Sequence, residues 1–443
     1  MRGAGAADSG FQAYPARSRA AVDWLSAFGL TASVVVLFGV SGGLLWLLGY
    51  NYDGLTGSPV TKIHPFTYMA AALFIWRALT FGNPVGYCVH VANRRPAAVL
   101  MAFAATALLI IIIMRKGPGM AGAIDAFLGP ALFALLLADA DERLMARIET
   151  ILHIVMAANA LMALGEFATK TLIFPYRFDG AVFPTDTRST ALQGHPLANA
   201  TVTACYLLAL LSGARRLPSG LRLMMIGLQS AALVAFGGRS AMVVATVLGG
   251  AYAAAAVLKT LRMGRVPLLG AAVGVLLLAL VPVVVGFLAS GGFFDALLSR
   301  FASDGGSANA RVQMFELFRY LSLEDIIVGP DLQLIESLRR INGLEWGIEN
   351  PIIRMTLYQG AFLTLVMTFV FGLFMYELTR GCEPGTWLPM IGWLILLNTA
   401  ETIAAKTTVL AKFSIIILCM YRRRGPAAAR PLNRAASPAP GPR

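Results

Sequence analysis

Apolar stretches separated by short polar segments cover most of this chain. Twelve of them fit helices that cross about 30 Å of hydrocarbon, and we predict spans at 26–48, 65–82, 96–114, 120–138, 147–167, 192–213, 221–236, 240–258, 267–290, 351–376, 386–400 and 402–421. The predicted fold class is therefore an all-α, polytopic integral membrane protein of about 12 transmembrane helices.

The segment at 291–350 is too long to be a simple connector, at about sixty residues. It contains two apolar stripes at helical spacing: Val312, Phe315, Phe318 and Leu321, and then, after a capping Asp331, Leu332, Ile335, Leu338 and Ile341. We predict two amphipathic helices in this long loop, lying on the membrane surface.

Composition supports a membrane domain. Hydrophobic residues make up 57% of the 443 residues and charged residues only 13%, with a mean hydropathy of +0.70. Soluble domains carry about 25% charged residues. We divide the chain into a cytoplasmic segment at 1–25, a transmembrane domain at 26–421 with a large periplasmic loop at 291–350, and a disordered basic cytoplasmic tail at 422–443.

The positions of Lys and Arg predict the orientation. With the N-terminus inside, the inner segments hold 20 of these residues and the short outer loops hold 7, as the positive-inside rule expects. We predict a multi-pass protein of the bacterial inner membrane with both termini in the cytoplasm. The Arg115–Lys116 pair, in a predicted outer loop, is the exception.

The net charge of +13 does not indicate a nucleic-acid partner, because the basic residues occupy short loops and the tail rather than one face with interleaved aromatic residues. The four cysteines are scattered without metal-ligand spacing. The chain has no P-loop, no His/Asp/Glu cluster of metal spacing and no Asp-x-Asp pair. We therefore expect no metal and no cofactor.

The first candidate for chemistry follows the fifth predicted span. Here Arg188 precedes Gly194-His195-Pro196 by a few residues, and the glycine and proline interrupt the start of the next span, so that His195 is exposed at the outer boundary. One interpretation is a helix-start loop whose arginine contacts lipid headgroups. The other is an anion site.

Three further arginines lie in predicted outer segments or just inside the span that follows one. Arg239 is the only charge of the tight turn Gly237-Gly238-Arg239-Ser240, where it either reaches lipid headgroups or pairs with a bound anion. Arg311 opens the first amphipathic helix, and Arg354 lies one helical turn past Asn350-Pro351. Topology alone does not explain their positions.

The candidate bases are acidic residues in the same predicted outer segments. Glu349, next to Asn350, is either a base with a shifted pKa or an acid favoured by a helix dipole. Glu401 and Lys406 form a lesser pair in the last outer turn. Lys412 falls inside a span and is predicted to face the bundle interior.

Taken in order, these elements resemble the bacterial O-antigen ligase and O-antigen polymerase superfamily, particularly its exopolysaccharide polymerase branch. The resemblance covers nearly the whole chain and depends on short elements: Lys62-Ile63-His64-Pro65-Phe66-Thr67-Tyr68, Arg188 through Gly194-His195-Pro196-Leu197-Ala198, Gly238-Arg239-Ser240, the long loop with Arg311 near its start, and Glu349-Asn350 leading into a span with a mid-helix Gly360. Only the ordered set is specific.

The resemblance implies metal-independent, inverting transfer of a glycan from undecaprenyl pyrophosphate to a sugar hydroxyl at the periplasmic face. By position, Arg188, Arg239 and Arg311 would bind the pyrophosphate, and Glu349 or His195 would act as the base, supported by Asn350, Arg354 and Glu401. Ligases of the family usually have His where this chain has Glu349, which favours a polymerase. Other proteins of polysaccharide assembly and export, with membrane lipids, are the further partners expected.

Two other functions remain open from the sequence. A glycan ligase would transfer to lipid or protein. A flippase or transporter of lipid-linked sugars would favour internal repeats and charges near the bilayer midplane, whereas no repeat is evident and the charges lie at the predicted outer boundary. A structural scaffold of an export complex is a third, weaker alternative.

Overall fold

The computed structural model describes residues 16–54, 56–178, 181–182, 188–214, 216–264, 307–344, 348, 350–398 and 403–423, with scattered positions between 279 and 298. Side chains are described for these residues except 16–22, 178 and 307–311. The helices are α1 (Ala16–Gly39), α2 (Gly42–Leu47), α3 (Pro65–Thr80), α4 (Pro84–Arg94), α5 (Pro96–Met114), α6 (Met120–Asp139), α7 (Glu142–Thr169), α8 (Pro196–Ser212), α9 (Ser219–Phe236), α10 (Arg239–Arg262), α11 (Ser307–Glu316), α12 (Leu323–Val328), α13 (Leu332–Ile341), α14 (Pro351–Gln359), α15 (Ala361–Arg380), α16 (Trp387–Leu397) and α17 (Val409–Met420).

Six helices in the described part of the chain are long and apolar enough to cross a membrane: α5, α6, α7, α9, α10 and α15. The apolar part of α1, with α8, α16 and α17, is shorter. The chain is thus an α-helical protein with the make-up of a membrane protein. Its one described sheet is a hairpin of Arg177–Phe178 against Ala181–Val182. The count of twelve spans stays a prediction, and the ninth, at 267–290, falls almost wholly outside the described residues.

Two of the shorter apolar helices, α8 and α17, occupy the centre of the bundle. Every residue of α17 and nearly every residue of α8 is buried. α9, α10 and α16 pack around α8, and α6 and α7 pack against α17. The Trp393 ring of α16 stacks on Phe413 of α17 with 4.5 Å between centroids, so these central helices are enclosed by protein.

Two predicted spans are interrupted. The span at 26–48 breaks at Val40–Ser41, where the Ser41 side chain accepts a hydrogen bond from the Leu44 amide and caps α2. The span at 351–376 breaks at Gly360, which has a φ of +84°. A Cβ at Gly360 would lie 2.5 Å from the Ile327 carbonyl oxygen, so the close approach of a loop backbone requires glycine here.

Within α6 the helix widens to a π-helical segment, Ala123–Leu128, which carries the buried Asp125. Among the described residues, the predicted spans at 386–400 and 402–421 are helical over α16 and α17. α4, an amphipathic helix capped by Asn83 and started by Pro84, has no counterpart among the predicted elements.

Successive long helices run in alternating directions, so the connections between them lie at two opposite ends of the bundle. At the arginine-rich end Arg94 pairs with Asp139 at 2.8 Å, Arg216 pairs with Glu149 at 3.3 Å, and Arg422 donates to the Ala140 carbonyl at 2.6 Å. The end that carries His64, His195, Gly238 and Lys406 is called here the site end. Which of the two ends faces the cytoplasm stays a prediction.

Residues 307–344, called here the cap, pack on α14 at the site end. A small apolar cluster joins them: Met314, Leu317, Ile335, Leu338, Leu344, Ile348, Ile353, Leu357 and Tyr358. The prediction of α13 with Asp331 as its cap is confirmed, since the Asp331 side chain accepts from the Gln333 amide. The first predicted stripe also falls on a helix, α11, where Val312 and Phe315 are exposed and Met314 and, just past the helix end, Leu317 are buried within the cap.

Arg115, the residue at odds with the predicted topology, fastens the cap to the bundle. Its guanidinium donates to the carbonyls of Gly329 and Pro330 at 2.9 and 2.8 Å and to the Tyr358 carbonyl at 3.3 Å. The charge at this position therefore has a structural role that a count of loop charges does not anticipate.

Candidate functional site

The turn that carries Arg188 is organised by one buried carboxylate. Glu166, near the end of α7, is 1% exposed. One carboxylate oxygen accepts from the Ser189 hydroxyl at 2.5 Å and from the Thr190 and Ala191 amides at 2.9 and 3.0 Å, and the other accepts from the Ile173 amide at 2.9 Å. A buried carboxylate with this many donors fixes the backbone directly after Arg188.

A pair of asparagines continues this scaffold. Asn159 accepts from the Leu192 amide at 3.0 Å and donates to the side-chain oxygen of Asn199 at 2.9 Å. Asn199 in turn donates to the Thr190 carbonyl at 2.7 Å. Both asparagines are fully buried, so the turn between α7 and α8 is tied to the interior of both helices.

The turn that carries Arg239 meets the Arg188 turn. The Ser189 amide donates to the Ala235 carbonyl, in the last turn of α9, at 3.3 Å. A Cβ on Gly238 would overlap the Ala200 side chain in α8, so the turn from α9 to α10 presses directly on the start of α8. Arg188 and Arg239, each partly buried, thus extend from two turns that are hydrogen-bonded together.

His195 caps α8 through one ring nitrogen. Its Nδ1 accepts from the Leu197 and Ala198 amides at 3.2 and 3.4 Å, and Nε2 lies 3.2 Å from the Tyr176 hydroxyl. Backbone amides can only donate, so Nδ1 provides the lone pair and the proton of the neutral ring is on Nε2. In this arrangement His195 orients Tyr176, with no second lone pair to accept a proton.

A second His-Pro pair starts α3 in the same manner. His64 Nδ1 accepts from the Phe66 amide at 3.2 Å, and Nε2 donates to the Val40 carbonyl at 3.0 Å. Gly194, next to His195, touches Ser41. Both histidine-capped helices therefore begin at the interruption between α1 and α2, which makes that break the centre of the site end.

Lysine and arginine side chains surround the loop after α2. Lys62 donates to the Asn51 carbonyl at 2.9 Å, Arg177 lies 4.8 Å from the Trp46 ring centroid, and Lys406 donates to the Tyr52 carbonyl. Burial raises the pKa of the Asp53 carboxyl, and the charges of Lys406, Arg177 and Lys62 oppose that rise. These contacts hold three loops together around one buried acid.

Asp125 anchors the same region from within the π-helical segment of α6. It is fully buried and accepts from the Thr67 hydroxyl at 2.7 Å, the Tyr52 hydroxyl at 3.0 Å and the His64 amide at 3.0 Å. The acid therefore joins the start of α3 to the loop that carries Asp53.

Asn350 and Arg354 lie at α14, beside an open cleft. Asn350 caps α14 by accepting from the Ile352 and Ile353 amides at 3.0 and 3.1 Å. Arg354 stacks over the Tyr358 ring at 5.4 Å. It also lines a small cleft of about 40 Å³, whose other walls are mostly apolar and include Leu108, Ile112, Phe127, Met355 and Ile403.

The remaining candidates lie at the edge of the described chain. The backbone of Arg311 belongs to α11, but its side chain, Glu349 and Glu401 are outside the described residues. Within the described ranges no group of three or more His, Cys, Asp and Glu side chains could hold a metal ion. Lys412 is buried in the bundle interior as predicted, with 4% exposure.

Sequence reasoning missed the buried acids that build the site end. Glu166 and Asp125 each stand within a predicted span, and an ionisable residue there indicates a functional or scaffolding role. That signal was present in the sequence, but the partners of both acids come from distant turns and no local pattern identifies them.

Comparisons with known proteins do not assign this chain to a family. No protein-family model, no curated protein and no solved structure matches this chain. The functional argument therefore depends on the side chains described above.

Proposed function

We propose that this protein is a polysaccharide polymerase of the bacterial inner membrane. It transfers a glycan from undecaprenyl pyrophosphate to a sugar hydroxyl at the periplasmic face. The observation that carries the proposal is the hydrogen bond between Ser189 and Ala235, which joins the turns of Arg188 and Arg239 beside His195. Two arginines on joined, rigid turns at the end of an apolar bundle suit a lipid-borne diphosphate.

The proposed reaction is a direct displacement at the anomeric carbon. The acceptor oxygen forms a bond to C1 of the donor glycan as the bond from C1 to the phosphate oxygen breaks, which inverts C1. The hydroxyl proton goes to a base, and the bonding electrons leave with the lipid diphosphate. The charge that develops on this leaving group is the main electrostatic demand on the site.

Arginines can meet that demand without a metal. A guanidinium presents a planar fork that binds two phosphate oxygens at once, which an ammonium cannot do. Arg188 and Arg239 would take this role, with Arg311 from the cap as a third cation. Glu166 and the Asn159–Asn199 pair would keep the Arg188 turn in place, because a small misplacement of such groups lowers the rate strongly.

Glu349 is the proposed base. The single lone pair of neutral His195 already accepts from the first amides of α8, so His195 is better suited to orienting Tyr176 than to removing a proton. Glu349 directly precedes Asn350, the cap of α14, in the chain.

The lining of the cleft is apolar enough to contact the lipid portion of such a substrate. Its walls from α5, α6 and α14 are mostly apolar, with the Arg354 guanidinium among them. The cap, fastened by Arg115 to the same corner of the bundle, would limit the access of water and so limit hydrolysis of the donor.

Deletion of the gene tests the proposal. The deletion strain should accumulate single glycan units on undecaprenyl pyrophosphate at the periplasmic face and make no polymer. Complementation with the natural gene should restore polymer, and complementation with Arg239→Lys should fail, because lysine keeps the charge but loses the fork.

Two results would contradict it. Single units that accumulate at the cytoplasmic face would indicate a flippase. Polymer of normal length that is no longer attached to its final acceptor would indicate a ligase.

A further inference from the structure

Lys412 is a lysine enclosed in the centre of the bundle. It lies one turn from the start of α17 and is 4% exposed. Among the described residues no hydrogen bond or ion pair involves its ammonium group. An unpaired ammonium in the interior of a membrane domain is strongly disfavoured, so a residue of this kind indicates a function or a bound counter-ion.

Among the residues that the structure describes, the titratable neighbours of Lys412 do not supply a counter-charge. His64 is close enough to be affected by this lysine, yet both of its ring nitrogens are engaged. Burial, with the charges of Lys412 and Lys406, lowers the pKa of His64 to about 4, against the hydrogen bond to Val40, so the ring is neutral at pH 7. Asp125 accepts from Thr67, Tyr52 and His64 rather than from Lys412.

A buried acceptor lies at the same end of α1. Gln193 is 8% exposed, and its amide nitrogen donates to the Phe38 carbonyl at 3.2 Å. Its side-chain oxygen is buried without a hydrogen-bond partner among the described residues. Phe38 and Val40, the partners of Gln193 and His64, belong to the last turn of α1, against which α17 also packs.

Gln193 belongs to the same turn as residues of the proposed site. It ends the short turn that Glu166 and Asn159 hold, two residues before His195. Gln193 thus carries an unsatisfied acceptor beside the break between α1 and α2, and Lys412 carries an unsatisfied donor on α17, which packs against α1. Buried polar groups without protein partners are satisfied by a ligand or by water.

We propose that Lys412 and Gln193 form the inner wall of the site and bind an oxyanion of the substrate. The ammonium would pair with the negative charge, and the amide oxygen would accept from an adjacent hydroxyl. Lys412 is thus a binding residue additional to the arginines. The oxyanion is either a phosphate of the lipid diphosphate or a carboxylate of an acidic sugar. The identity of the molecule that carries it rests on the proposed function, whereas oxyanion binding itself does not.

Binding of two simple anions to the purified full-length protein in detergent tests this inference. The probes are inorganic pyrophosphate and glucuronate, measured by titration calorimetry on the natural protein, on Lys412→Met and on Lys259→Met. Lys259 is an exposed lysine near the opposite end of α10 and is the control for loss of one positive charge. Lys412→Met should weaken binding of the preferred anion by about tenfold or more, and Lys259→Met should leave it unchanged. The probe that binds more tightly identifies phosphate or carboxylate as the source.

Thermal unfolding of the same variants separates binding from a structural role. Removing a buried cation that lacks a protein partner should leave the melting temperature equal or higher. A lower melting temperature for Lys412→Met with unchanged anion binding would overturn the inference, as would binding of neither probe by the natural protein. If Lys412→Met does not fold, Lys412→Gln, which keeps a polar group at this position, replaces it under the same criteria.

These outcomes are distinct from failure of the proposed function. Anion binding that depends on Lys412, in a protein that makes no polymer, would support the site and remove the polymerase. Polymerisation by a protein whose anion binding does not depend on Lys412 would support the polymerase and remove the Lys412 site.

Discussion

The Ser189 amide donates a hydrogen bond of 3.3 Å to the Ala235 carbonyl. Ser189 directly follows Arg188, and Ala235 lies four residues before Arg239. This bond connects two turns that are separated in sequence by the whole of α8 and α9. It provides a physical reason for two arginines to act on one anion, because the backbone of each turn limits the movement of the other.

Glu166 is expected to be the main support of the Arg188 turn. Glu166→Gln replaces an acceptor of the Thr190 and Ala191 amides by a group that carries its own donors, leaving buried amides without partners. We expect the free energy of unfolding to fall by about 2–4 kcal/mol, measured by chemical denaturation in detergent micelles. Glu142→Gln is the control: its side chain is 59% exposed in a pair with Arg216, so the change should be under about 0.5 kcal/mol. If the free energy of unfolding fell equally little in Glu166→Gln and Glu142→Gln, Glu166 would not be the main support of the turn.

Arg115 is expected to hold the cap on the bundle. Arg115→Lys retains the charge but cannot reach the Gly329, Pro330 and Tyr358 carbonyls together, because an ammonium lacks the fork of a guanidinium. The peptides covering α12 and α13 should then exchange backbone hydrogen faster by about tenfold, as measured by mass spectrometry. Lys116→Gln changes the adjacent exposed residue and should leave exchange as it is. Unchanged exchange in Arg115→Lys would show that the apolar cluster alone holds the cap.

Gly360 is expected to tolerate no side chain. Gly360→Ala would force a Cβ against the Ile327 carbonyl at a φ of +84°, and we expect a loss of about 2–4 kcal/mol in the free energy of unfolding. Gly165→Ala is the matched change, since nothing lies within 4 Å of a Cβ there. It should be neutral or stabilising by up to about 1 kcal/mol. A neutral Gly360→Ala would mean that the loop backbone can withdraw from the helix break.

The acid stability of the protein should depend on His64. Its pKa is lowered from 6.5 to about 4, mainly by burial. Above pH 6.5 the ring is neutral in both the folded and the unfolded chain, and its contribution to the free energy of unfolding is fully present. As the pH falls from 6.5 towards 4, only the unfolded chain takes up the proton, which costs the folded state about 3 kcal/mol in total.

His64→Asn is the variant that tests this dependence. Asparagine keeps an N-cap acceptor but does not titrate, so the fall in melting temperature between pH 6.5 and 4 should become smaller. His90→Asn, a change to a partly exposed histidine at the arginine-rich end, should keep the dependence of the natural protein. An identical pH profile for His64→Asn and the natural protein would contradict the assignment.

The sequence predicts the helices better than it predicts the site. Long apolar runs identify α5, α6, α7, α9, α10 and α15 because length and hydropathy are local properties. The breaks at Ser41 and Gly360 are different, since apolar residues continue on both sides of each and the cause is a distant loop. The sequence does not show which apolar face of α11 packs on the protein, because two apolar faces compete there and only the contact with α13 and α14 decides between them.

The same distinction applies to the candidate residues. Arg188, His195 and Arg239 were identified from turns next to predicted spans, and the structure brings their turns together. Glu166, Asn159 and Asn199 hold the Arg188 turn through hydrogen bonds to residues that are distant in sequence. Patterns in a single sequence therefore do not indicate this role. Arg115 was at odds with the topology rule because its guanidinium serves the cap rather than a membrane boundary.

The most direct test of the proposed function is polymer formation by the purified protein in proteoliposomes. The substrate is a glycan repeat unit on undecaprenyl pyrophosphate, and the products are separated by length on a gel. We predict a ladder of polymer lengths with the natural protein, a loss of about 100-fold or more in rate with Arg239→Lys or Glu349→Gln, and near-normal rates with Lys259→Met. Lipid-linked units that stay monomeric, or that cross the bilayer without being joined, would contradict the account.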